Sequence, residues 1–135
     1  MRLYHESGLL ANGQARAPQF AQGLDTLLAH PLVGDSRHHG LLGALKLASD
    51  KDSKRGFDAS LKLPDRIAAV AYQNGLVFRA FGDNILGFAP ALCYTESEFE
   101  LLFERLTKTL DDVLVASDVR AALKPASAAK PLAAA

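Results

Sequence analysis

Apolar residues recur along this chain with two different periods. Phe20, Leu24, Leu27 and Leu28 fall at i, i+4, i+7 and i+8, one face of a helix, and Leu9 and Leu10 extend that face backward. Pro18 interrupts it and is expected to kink the helix or start a new first turn. His30-Pro31 ends it, because a residue before proline disfavours helix. Residues 1–30 therefore read as an N-terminal helical segment. The next stretch predicts short strands near Val33–Arg37 and Leu41–Ala48, then an exposed polar loop over SDKDSKRGFD, 49–58. A helix follows from Pro64, with Asp65 in its first turn and Ile67, Val70 and Ala71 as its apolar stripe. Asn74-Gly75 stops it, since glycine takes the left-handed conformation that ends helices. The pattern then alternates. LVFRAF places Val77, Arg79 and Phe81 on one face of a strand and Leu76, Phe78 and Ala80 on the other. Gly82-Asp83-Asn84 is turn chemistry and ILGF returns, predicting a β-hairpin over 76–88. Thr95 with Glu98 three residues on is a capping box. It opens a helix over 95–116 with Phe99, Leu102, Phe103, Leu106, Leu110, Val113 and Leu114 at helical spacing. Such an amphipathic helix needs a layer to pack on, and the hairpin is the nearest in sequence. Residues 118–135 are rich in alanine, proline and lysine and read as a disordered tail, with at most one helical turn near Val119–Leu123. Helices and short paired strands together make the fold class α+β.

Composition narrows the partners. The chain has 135 residues, enough for one ordinary domain. Fifteen basic side chains balance fifteen acidic ones, so no global field draws nucleic acid or an anionic membrane. No apolar run approaches the roughly 20 residues that span a bilayer, and MRLYHESGLL lacks a signal-peptide core. The single cysteine, Cys93, forms no internal disulfide and fits a reducing compartment. These features predict a soluble cytoplasmic chain.

Little in the sequence carries chemistry. His38 and His39 adjoin, and on a strand they point to opposite faces, a poor arrangement for one metal. Ser49, Ser53 and Ser97 lack a nucleophile-elbow context. Cys93 reads as a small, semi-buried core thiol. No glycine pattern for a phosphate loop is present. Arg79 stands out, because its permanently charged head lies between Phe78 and Phe81 and needs a partner. Two readings stand side by side. One is a structural ion pair with Asp83 or a helix carboxylate. The other is a bidentate clamp on a ligand carboxylate, for which the planar guanidinium is suited.

HPLVGDSRHHGLLGALKLASDK (30–51), NGLVFRAFGDNILGFAPAL (74–92) and TESEFELLFERLTKTLDDVL (95–114) come in the order and spacing seen in class III pyridoxal-phosphate aminotransferases. From about Arg2 to Leu123 the chain resembles the C-terminal part of that family, closest to members that move amino groups between an amine or ω-amino acid and pyruvate. The resemblance implies that 31–117 is the small domain of a fold-type I aminotransferase, a few antiparallel strands covered by helices. It implies that Arg79 is the mobile substrate-binding arginine, which holds the carboxylate of the amino or keto acid and swings away for amines. It also implies a dimer in the complete enzyme. The pyridoxal 5'-phosphate lysine, the aspartate on the pyridine nitrogen and the phosphate loop belong to the family's large domain. Lys46, Lys51, Lys54, Lys62, Lys108, Lys124 and Lys130 all sit in small-domain, loop or tail positions. The expectation is a truncated C-terminal domain, inactive alone and binding no cofactor by itself. The alternatives are one chain of a split aminotransferase, or a non-catalytic α+β binding or assembly module.

An isolated small domain leaves uncovered the face that would meet a large domain. The chain is therefore predicted to self-associate through that apolar surface. Sedimentation velocity over a wide concentration range checks this: a rising sedimentation coefficient is expected, and a monodisperse monomer throughout refutes it.

Overall fold

The computed structural model describes Arg2 and residues 8–123. Helix α1 spans Leu9–Thr26 and passes into a short 3-10 turn, Leu27–Ala29. Strands β1, Val33–His39, and β2, Leu42–Leu47, form a first hairpin. Helix α2, Leu63–Gln73, precedes a second hairpin of β3, Arg79–Phe81, and β4, Ile85–Phe88. Helices α3, Glu96–Leu114, and α4, Ser117–Ala122, close the described chain. The four strands make one antiparallel sheet in the order β1-β2-β4-β3. The hairpins thus lie side by side through β2 and β4. This is the α+β small domain that the resemblance implied.

Alternation along the strands divides the sheet into two unlike faces. Leu45, Leu47, Leu86 and Phe88 point inward and are buried with Phe20 and Leu24 of α1, Ile67 and Ala71 of α2, and Phe99, Leu106 and Leu110 of α3. Phe20 packs on both Phe99 and Phe103, with ring centroids 5.9 and 6.1 Å apart. Helix α3 packs chiefly on α2 and α1, so it reaches the sheet through the shared core rather than by lying on the second hairpin. Thr95 and Glu98 form the reciprocal capping box at its start.

Several boundaries differ from the sequence pattern for physical reasons. Helix α1 runs through Pro18. Pro18 and Gln14, the residue whose carbonyl loses its donor, are both exposed, so water can replace the missing bond. The second hairpin begins at Arg79 rather than residue 76. Gly75 takes a left-handed φ of 81°. The amide of Leu76 then donates back to the carbonyl of Ala71 at 2.8 Å, and that of Gly75 to Tyr72 at 3.1 Å. This double return satisfies the end of α2 and keeps Leu76 out of the strand ladder. Residues 117–122 form α4, where the tail read from 118 onward allowed one helical turn near Val119–Leu123. Val119 is fully buried there, and Asp118 takes two hydrogen bonds from Arg66 of α2 at 2.6 and 3.1 Å. The predicted remainder of the tail lies outside the described residues.

His30 joins the first connection to α3. Its Nε2 lies 2.9 Å from Asp111 Oδ1, and its Nδ1 accepts the amide of Leu32 at 3.2 Å. Only the neutral Nε2–H tautomer serves both contacts. Burial lowers its pKa below the ordinary value, and the hydrogen bond and charge of Asp111 oppose that only in part. A depressed histidine pKa means that the unfolded chain binds the proton more readily. The stabilisation is complete above the ordinary histidine value and is lost as pH falls through the depressed one. Denaturant melts between about pH 7.5 and pH 5 should show falling stability in the wild type and a flatter profile in His30→Gln.

Candidate functional site

The site is the outer face of the sheet, away from α1, α2 and α3. Cross-strand register sets two rows of side chains on it. One runs Arg79, Gly87, Ala44, Arg37, and the next runs Phe81, Ile85, Lys46, Asp35. Arg79, Phe81, Lys46 and Arg37 are exposed. Val77 continues the face beyond β3 and is 78% exposed. No described helix covers this surface, so its cations do not face the core.

Arg79 lies on the edge strand β3. Among the described residues its guanidinium has no carboxylate or hydrogen-bond partner, so the ion pair with Asp83 or a helix carboxylate does not form. Its one specific contact is to Phe81, two residues along the same face, with the guanidinium carbon 5.5 Å from the ring centroid. A ring contact consumes no N–H donor, so all five remain for a ligand. Arg37, at the far end of the same row, is engaged: its Nε donates to Asp35 Oδ2 at 3.2 Å. That hydrogen bond is the main cause holding the Asp35 carboxyl below the usual carboxylate range.

The scaffold beneath Arg79 is pinned from two sides. On one side, Arg105 of α3 donates to the carbonyl of Gly75 at 2.9 Å, and Asn74 Nδ2 reaches Thr109 Oγ1 at 3.1 Å and Asp112 at 3.2 Å. These bonds fix where the chain leaves α2 and enters β3. On the other side, the 82–84 turn is held by Asn84, whose φ of 63° is left-handed. Asn84 Nδ2 donates to the Phe57 carbonyl at 3.0 Å, and its own carbonyl accepts from the Leu47 amide at 2.7 Å. Asparagine tolerates that backbone and adds the side-chain bond that glycine would lack.

The remaining sequence candidates are dispersed. His38 Nε2 lies 3.2 Å from Asp25 Oδ2, and Ser36 donates to the other oxygen of Asp25 at 3.0 Å. Serine, aspartate and histidine meet here, a grouping the sequence did not signal. The carboxylate sits between the hydroxyl and the imidazole, so histidine cannot act as base on serine. Among the described residues no group of three histidine, cysteine, aspartate or glutamate side chains could hold a metal. Ser49 donates to the carbonyls of Arg55 and Gly56, and Ser53 to Asp50, which makes both structural. Cys93 is exposed, not the semi-buried core thiol read from the sequence, because it falls in the turn between β4 and α3. No described helix is long and apolar enough to cross a membrane.

The described residues thus form a small antiparallel sheet with helices on one face and, on the other, an edge arginine without a carboxylate partner among them. Residues 1–110 match the family model described as Aminotransferase class-III, and the chain belongs to that family. It is 34% identical over 116 residues to the diaminobutyrate–2-oxoglutarate transaminase of Halomonas elongata, covering 84% of this chain and 24% of that protein. It is 30% identical over 118 residues to the putrescine–pyruvate aminotransferase of Pseudomonas aeruginosa, covering 86% and 25%. The crystal structure of the ω-transferase from Vibrio fluvialis superposes with a TM-score of 0.82 at 32% identity, covering 88% of this chain and 28% of that one. The chain spans about a quarter of the length of the curated relatives it matches.

Solved aminotransferases from Vibrio fluvialis carry pyridoxal or pyridoxamine phosphate, which makes the cofactor a property of the family. The residues described in this chain do not fit it. An imine-forming lysine needs a desolvated amine. Burial lowers the Lys51 pKa, but its Nζ donates to the Leu28 carbonyl at 2.8 Å, and Lys108 is held by Asp112 at 2.7 Å and Asn74 at 3.2 Å. Lys46, Lys54 and Lys62 are exposed, and Lys124 and Lys130 lie outside the described residues. Incubation of the chain with pyridoxal phosphate followed by borohydride should therefore give weak labelling spread over several lysines. Peptide mapping that finds one lysine modified stoichiometrically would overturn this.

Proposed function

We propose that this chain acts as the small domain of a class III aminotransferase, one that transfers an amino group between an amine or amino acid and a keto acid such as pyruvate. Arg79 binds the substrate carboxylate in that enzyme. The observation that carries the reading is a guanidinium that, among the described residues, has every donor free and no carboxylate partner, on an open sheet face. The chain's contribution is binding and orientation. The amine that holds the cofactor aldehyde comes from residues other than those described, either in a larger dimeric cytoplasmic enzyme or from a second chain. Exposed Leu42, Val77 and Phe81 support such a partner, since they give the outer face apolar area to bury.

A chimera tests this directly. Residues 8–123 replace the matching segment of the Vibrio fluvialis enzyme, and kcat/KM is measured for pyruvate and for an amine without a carboxylate. A lost charge-assisted bidentate contact is worth about 1.5–3 kcal/mol, so Arg79→Ala should lower the pyruvate value roughly ten- to hundredfold. The step that uses the amine should change little. An equal loss for both substrates, or for neither, counts against Arg79 as the carboxylate residue and favours a purely structural module.

A further inference from the structure

Glycine at position 87 has a steric cause. Gly87 is the cross-strand partner of Arg79, and the two face the same side of the sheet. A Cβ built there would lie 2.7 Å from Cε2 of Phe81. The backbone of Gly87 is not left-handed, so what the position requires is space. The missing side chain lets the Phe81 ring lie diagonally over the strand. The ring has a polar neighbour in turn, because the Arg79 guanidinium sits 5.5 Å from its centroid. Glycine, ring and guanidinium form a stack of three groups on an otherwise open face.

We infer that Phe81, seated on Gly87, is the positioning residue that holds Arg79 ready for a carboxylate. This rests on the carboxylate-binding reading of Arg79 and adds what sets its poise. An exposed arginine with no partner samples many rotamers, and binding must then pay for ordering it. The π-face of Phe81 attracts the cation without using an N–H. The guanidinium is thus restrained while its donors stay available for a keto or amino acid. The same restraint is weak enough to release, since an exposed ring contact is far weaker than a carboxylate pair. The identity of residue 81 and the absence of a side chain at 87 therefore set how strongly the site favours acids over simple amines.

The test uses the full chain labelled with 13C and 15N in arginine, followed by NMR, with pyruvate as the probe and sodium chloride at matched ionic strength as control. In the wild type, the δ-methylene and Nε–H protons of Arg79 should carry a ring-current shift. Phe81→Leu should abolish it. Gly87→Ala should do the same with the phenylalanine retained, because the new methyl displaces the ring. Both variants should weaken pyruvate binding at Arg79 by about two- to fivefold, the range of an exposed cation–π contact. Phe81→Tyr should restore both signals. Phe81 is 45% exposed, so none of these changes empties the core. Arg79 resonances that are the same in wild type and Phe81→Leu, or equal pyruvate affinities in wild type and both variants, overturn the proposal. A ring-current shift in a wild type whose Arg79 signals ignore pyruvate supports the platform and removes the carboxylate role instead.

Discussion

The covering of one face of a short sheet by three helices is the constraint on which the rest of this structure depends. Leu45, Leu47, Leu86 and Phe88 must leave water, and a four-stranded sheet cannot bury them by itself. The amphipathic helices have the same requirement. Phe99, Leu106 and Leu110 of α3 meet Phe20 and Leu24 of α1 and Ile67 of α2 in one contiguous core. Because strand side chains alternate, this burial also dictates what faces outward. Once Leu86 and Phe88 are inside, Ile85 and Gly87 are outside, and register carries Arg79 and Phe81 with them.

Polar contacts refine what the core sets in place. Arg105, Asn74 and Thr109 tie the end of α2 to α3 where the chain turns into β3. Thr109 is fully buried, and its hydroxyl both accepts from Asn74 and donates to the Arg105 carbonyl at 2.7 Å. Asn84 ties the hairpin turn to Phe57 and Leu47. A buried hydroxyl with both roles satisfied costs little, while removing either partner would leave it stranded. The edge strand that bears Arg79 is only three residues long, and these anchors at its two ends take the place of a longer ladder.

Local signals read correctly where the physics is local. The capping box at Thr95, the helical stripes of α2 and α3 and the alternation around Arg79 all follow from spacing within a few residues. The readings that failed depended on distant parts of the chain. Composition marked the segment after Ser117 as a tail with at most one helical turn, yet that turn is docked: Val119 is buried and Asp118 is paired with Arg66, fifty-two residues away. Alternation began the hairpin at Leu76, but its amide is captured by the end of α2. Cys93 looked like a core residue by type, and its place in an exposed turn depends on how β4 joins α3.

The sequence by itself determined the helix and strand periods, the turn chemistry, the family and the presence of one arginine in apolar company. Those are properties of spacing and residue type, and they survive without knowledge of which surfaces meet. Only the tertiary structure decided that this arginine lacks a carboxylate partner among the described residues. It alone showed that Phe81 lies across Gly87 beneath the guanidinium. Both facts depend on pairing β3 with β4 in one register, and a shift of one residue would have turned Arg79 toward the core.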